Sequence, residues 1–134
     1  MANTRWRAKG RAETGSFTLL PHRVLECEAY AQLSGKGVKL LVDLCTQYRG
    51  NNNGDLGMAW KIMRKRGWRS RDTLSRACKE FVENGFITRT RQGGRNQCNL
   101  YAVTWLAIDD CKGKLDCAPT NVALGYWKDG RPPD

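Results

Sequence analysis

The chain has 134 residues, with 23 Lys and Arg against 13 Asp and Glu, a formal net charge of +10. That length suits one domain and leaves no room for a second full core. A polar, basic start and no apolar run long enough to span a bilayer exclude an export signal and a membrane span, so a cytoplasmic protein, bound to the nucleoid when on DNA, is expected.

The positive charge sits in two blocks. Residues 1–25 carry a net +4 and residues 61–95 a net +8, while the stretches 26–60 and 96–134 come to −1 each. Solvated surface explains a modest excess of bases, but it does not explain why one window holds nearly half of them. A polyanion partner does, because each neutralised phosphate adds to the attraction. Six cysteines without an export signal do not read as a disulfide framework. They contain no Cys-x-x-Cys pair and are joined by a single histidine, His22, so no zinc site is expected.

Taken in chain order, residues 1–16 read as a basic flexible arm, with Arg5, Arg7, Lys9 and Arg11 set among small residues, and Trp6 uninformative. A short strand or extended piece over 17–20 ends at Pro21, and a short helical turn over 23–30 follows. Residues 34–49 predict the first helix: Val38, Leu41, Leu44, Cys45 and Tyr48 recur at helical spacing, Ser34 is placed to cap the start and Gly50 to stop it. The run Asn51-Asn52-Asn53-Gly54-Asp55 consists of turn formers and reads as a loop. A second helix over 58–66 has Leu56, Ala59, Trp60 and Met63 on or beside its inner face and ends at Gly67, with Lys61, Arg64 and Lys65 pointing outward.

Ser70 is placed to cap a third helix, and Asp72 near its start favours the positive helix end. Leu74, Ala77, Cys78, Phe81 and Val82 make its inner stripe; Asp72, Ser75, Arg76, Lys79 and Glu83 make the opposite one. Asn84-Gly85 closes it. Residues 86–91 and 97–105, separated by a Gly93-Gly94 turn with a basic, polar tip, predict a β-hairpin. Trp60, Trp68 and Trp105 are expected to pack in the core. Residues 106–134 form a C-terminal extension in which Tyr126 and Trp127 are candidates to dock on the 17–105 body.

The order helix, short helix, tight turn, helix, hairpin, carried most specifically by SRDTLSRACKEFVENGFITRTRQGG, resembles the winged helix-turn-helix superfamily over residues 32–105. With the Asn-Asn-Asn-Gly loop it is similar to small DNA-binding proteins of phages, plasmids and other mobile elements. The resemblance implies an α+β winged helix fold and a third helix lying in the major groove of double-stranded DNA. Carried onto these positions, Arg71, Asp72, Thr73, Ser75, Arg76 and Lys79 face the DNA, with Arg76 as base reader, Lys79, Ser75 and Thr73 on phosphates, and Asp72 either accepting from a cytosine or serving the helix start. Arg64, Lys65, Arg66 and Arg69 beside the turn clamp phosphates. The wing residues Arg89, Arg91, Arg95, Asn96 and Gln97 follow the adjacent backbone or minor groove, as do Arg5 and Arg7 of the arm. The implied role is a sequence-specific transcriptional repressor acting as a homodimer. An origin-binding replication protein, a protein-interaction module and an RNA-binding domain stay open as alternatives.

Nothing points to catalysis. His22 has no cysteine or carboxylate at a recognisable spacing, Gly93-Gly94 lacks the lysine and helix of a phosphate-cradling loop, and Asp109-Asp110 has no metal or basic context. No cofactor is expected.

Overall fold

In the computed structural model, residues 15–134 are described. Two single turns, α1 (His22–Leu25) and α2 (Glu28–Ala31), precede the eleven-residue α3 (Gly35–Cys45). The short strand β1 (Leu56–Gly57) leads into α4 (Trp60–Met63), which tightens into a 3-10 turn over Arg64–Arg66. The long helix α5 (Arg71–Glu83), strands β2 (Ile87–Arg91) and β3 (Leu100–Val103), a 3-10 turn at Cys111–Gly113 and the closing turn α6 (Tyr126–Asp129) complete an α+β fold. The three strands form one antiparallel sheet in the order β1-β3-β2.

The caps are those expected from the sequence. Ser34 Oγ accepts from the Gly37 N–H at 3.0 Å and Ser70 Oγ from the Thr73 N–H at 3.2 Å, each satisfying an amide that the first helical turn leaves free. Gly67 ends the 3-10 turn with φ +94° and Gly85 follows α5 with φ +80°, values that cost a side-chain-bearing residue strain. Leu74, Ala77 and Phe81 of α5 pack on Leu40, Leu41 and Leu44 of α3 in one core with Phe86, Ile87, Val103, Trp105 and Trp127. The rings of Phe81 and Phe86 stack with centroids 5.1 Å apart.

Several local expectations are corrected. The turn expected over 23–30 is two separate turns, α1 and α2. The first helix stops at Cys45 with Thr46 as cap, four residues before the expected end. Its buried face includes Leu40 and the acid Asp43, while Val38 is only half-buried. Leu56 belongs to a strand paired with Tyr101, not to a helix face. The outer edge of that strand is satisfied by one side chain: Gln47 donates to the Gly57 carbonyl at 2.7 Å and accepts from its N–H at 2.9 Å. A side chain that substitutes for a neighbouring strand leaves no periodic signal, so β1 is invisible to pattern reading. The hairpin tip is also displaced. Gly94 and Gln97 bridge across Arg95 and Asn96, and Asn96 takes the left-handed conformation with φ +66°. Gly93 is needed for space instead, since a Cβ there would lie 2.6 Å from the Gln97 carbonyl oxygen.

The loop after α3 is a loop as expected, but Asn53 within it is fully buried. Its amide donates to the carbonyls of Val103, Leu106 and Ala107 and its oxygen accepts from the Val103 N–H at 2.9 Å. The chain after β3 is thereby tied back to the sheet. Further on, the Asp116 N–H reaches the Thr90 carbonyl on the edge of β2 at 2.8 Å, and the Gly125 N–H reaches Thr104 at 2.7 Å. Trp127 closes over the core with 6% exposure, and Arg23 and Lys128 lie over its ring. Among the described residues no helix is long and apolar enough to cross a membrane.

Candidate nucleic-acid interface

The outer face of α5 carries no packed element. Arg71, Asp72, Ser75, Arg76, Lys79 and Glu83 are exposed along its length, with Thr73 half-buried at the start. This follows from the apolar spacing, which commits the opposite stripe to α3 and the sheet.

Exposed cations are carried by three neighbouring elements in the chain: α5, the turn before it and the hairpin after it. On α5 itself, Arg76 pairs with Asp72 at 2.6 Å and Lys79 with Glu83 at 3.9 Å, both one turn apart. From the preceding turn come Arg64, Lys65 and Arg69, all exposed. From the hairpin come Arg89 on β2, whose cross-strand partner is Tyr101, and Arg95 beside Asn96 at the tip. Among the described residues Arg64, Lys65, Arg69, Arg71, Arg89 and Arg95 have no carboxylate within ion-pair distance. The Arg71 guanidinium lies 5.6 Å from the centre of the Trp60 ring, which holds it against α4 while leaving its charge uncompensated. Trp60 is half-buried and packs against the core from its edge, whereas Trp68 and Trp105 lie within it.

The acids of this basic segment are drawn off locally. Asp72 and Glu83 engage the neighbours just described. Glu80 turns back to Ser34, accepting from its N–H at 3.0 Å and its hydroxyl at 2.7 Å, so it locks the start of α3 to α5 and takes its charge off the outer face.

Two cations expected on this surface are committed elsewhere. Arg66 donates through Nε to Asp43 at 3.0 Å. Asp43 is the hub of the turn: it also accepts from Trp68 Nε1 at 2.8 Å and pairs with Lys39 at 3.2 Å, while the Lys39 ammonium donates to the Arg66 carbonyl at 2.6 Å. Burial raises the Asp43 pKa, but hydrogen bonds from Trp68, Arg66 and Lys39 outweigh it, and the carboxyl ends below its ordinary value. Arg91, half-buried, folds along the hairpin to donate to the Cys98 carbonyl at 2.9 Å, and its Nε is buried without a partner among the described residues. A β-bulge between Arg89 and Arg91 causes this, since the extra residue turns Arg91 out of the alternation that Arg89 follows. Arg5 and Arg7 lie outside the described residues.

Between α5 and the hairpin opens a cleft of about 240 Å³ lined by Met58, Leu74, Ser75, Cys78, Cys98, Asn99 and Tyr101. The Cys78 thiol donates to the Tyr101 hydroxyl at 3.5 Å. Burial, reinforced by Cys78, pushes the Tyr101 phenol up to about 12, so it stays a neutral hydroxyl at physiological pH. Among the described residues no cluster of His, Cys, Asp or Glu has the geometry to hold a metal ion.

No family model, curated protein or solved structure matches the chain.

Sequence reasoning found the exposed face of α5 and missed Asp43, Asn53 and Glu80, which hold the frame behind it. For Asp43 a signal was present, a lone acid within the apolar second half of the helix, Leu40 to Cys45. Such a residue survives in a core only when donors surround it.

Proposed function

We propose that the chain is a winged helix-turn-helix protein that binds double-stranded DNA in a sequence-specific way, with α5 in the major groove and the hairpin tip on the neighbouring backbone. The carrying observation is the exposed outer face of α5, together with exposed cations on the turn before it (Arg64, Lys65 and Arg69) and on the hairpin after it (Arg89 and Arg95), none of which has a carboxylate within ion-pair distance among the described residues. The order α3, β1, α4, turn, α5, β2, β3 with the sheet order β1-β3-β2 supports the winged helix assignment. A helix fits the major groove, where each base pair presents a distinct pattern of donors and acceptors. Arg76 reaches a base edge. Arg69, Arg71, Lys79 and Arg95 hold phosphates, and Thr73 and Asn96 add neutral contacts to the backbone.

The biological role we propose is a transcriptional repressor of a phage, plasmid or other mobile element, working as a homodimer on paired half-sites. An origin-binding role uses the same face and differs only in where the site lies.

The test is selection of bound duplexes from a random pool. The wild-type chain should enrich a motif, and the position of that motif, promoter or origin, separates the two roles. Arg76→Ala should relax one position of the motif by about 1 to 3 kcal/mol of discrimination. If no motif is enriched and weak binding ignores salt, DNA recognition is refuted; a motif that reads as a single half-site refutes the dimer.

A further inference from the structure

We propose that Asp72 and Arg76 act as one composite base reader, in which Asp72 is a specificity-determining residue and not merely a favourable charge at the start of a helix. The inference rests on DNA binding through α5. The pair lies on the outer face, one helical turn apart, joined at 2.6 Å through one terminal nitrogen of the guanidinium, with the two side chains 79% and 67% exposed. The helix start does not need Asp72 as its cap, because Ser70 Oγ already accepts from the Thr73 N–H.

An isolated arginine on a helix surface samples many rotamers and loses that freedom when it docks on a base. A carboxylate holding one nitrogen narrows the orientations that the fork samples before it meets a base. A guanidinium has five N–H donors, so enough remain to present two parallel donors to guanine O6 and N7. The Asp72 carboxylate has acceptor capacity left after this contact and lies beside the base step that Arg76 addresses. It meets either an exocyclic amine, from cytosine N4 or adenine N6, or the acceptor edge of a thymine or guanine, which it repels. The composite therefore selects guanine at one position and cytosine or adenine at the adjacent one. A negative charge in the groove also opposes phosphate binding everywhere, so Asp72 lowers affinity for unselected DNA while raising discrimination.

The same face supplies a matched control. Glu83 pairs with Lys79 at 3.9 Å at the other end of α5, so neutralising it changes net charge by the same amount without touching Arg76.

Asp72→Asn, Asp72→Ala, Glu83→Gln and Arg76→Lys variants of the full chain are compared with wild type by duplex selection and by titration against one selected and one scrambled duplex over a salt series. Asp72→Ala should bind the scrambled duplex more tightly yet lose about tenfold of its preference for guanine and its neighbour. Asp72→Asn, which keeps one acceptor oxygen, should lose less of the guanine preference while losing the exclusion at the adjacent position. Glu83→Gln should raise scrambled-duplex binding and leave the motif intact, and Arg76→Lys, which lacks the fork, should blur the guanine position. An unchanged motif in Asp72→Ala overturns the proposal while leaving DNA binding in place, as does equal blurring by Glu83→Gln. A wild-type chain that enriches no motif overturns DNA recognition and the proposal with it. Unfolding midpoints of all four variants, expected within a few tenths of wild type in denaturant molarity, establish that the lost discrimination does not come from a lost fold.

Discussion

Asp43 keeps 5% of its side chain exposed and accepts from an indole, a guanidinium and an ammonium at once, which is how α3 grips the turn before α5. Replacing it with alanine leaves the Trp68 N–H without an acceptor in a buried site, and unpairs two cations that are partly exposed and so rehydrate in part. The expected loss is about 3 kcal/mol, near the low end for breaking a buried pair. Because the folded-state pKa lies below the ordinary aspartate value of 3.8, the stabilisation from this carboxylate is fully present above that value. It is lost as pH falls through the depressed folded value. Denaturant midpoints measured from pH 6 downward should therefore drop in acid for wild type, and less steeply for Asp43→Asn. Two glycines give a second contrast at this scale. A Cβ on Gly67 meets only the flexible end of Lys39, whereas one on Gly85 would lie 2.6 Å from the Tyr126 carbonyl oxygen. Gly67→Ala should cost about 1 to 2 kcal/mol from backbone strain alone. Gly85→Ala should cost distinctly more and loosen the Trp127 contact, visible in tryptophan fluorescence.

At the scale of elements, α5 and the hairpin divide the proposed work. Contacts from the tip and the turn carry no base information but set the electrostatic share of binding. Arg95→Ala and Arg69→Ala should each weaken binding to all duplexes alike and reduce the slope of log K against log salt by about 0.9, as one fewer counterion is released. Arg91→Ala should reduce that slope less and also destabilise the hairpin, since one nitrogen of its guanidinium is held by the Cys98 carbonyl. The candidate surface on α5 was legible from sequence because helical periodicity separates the core stripe from the exposed one without knowledge of the partner. The fates of Arg66 and Arg91 were not legible. An arginine in a basic run looks the same whether it faces solvent or folds back onto a carboxylate or carbonyl, and only the approach of α3 and the bulge in β2 distinguish the cases.

Across the whole molecule, the segment after β3 is bound into the fold through Asn53. Asn53→Ala deprives the buried Val103 N–H and three carbonyls of their partner. The expected loss is about 3 kcal/mol, with faster hydrogen exchange at Val103 and in the chain that follows it. Sequence by itself determined the caps at Ser34 and Ser70, the apolar stripe of α5, the hairpin and the concentration of positive charge, because these depend on residues close together along the chain. Tertiary structure alone decided that Leu56 pairs as a strand, that Glu80 caps a helix 46 positions away, that Asp43 is a buried hub and that Asn53 anchors the tail. Each of these depends on a contact with a residue far off in sequence, and for Asp43 and Asn53 the cost of burying a polar group unpaired is what selects the partners once the core has formed.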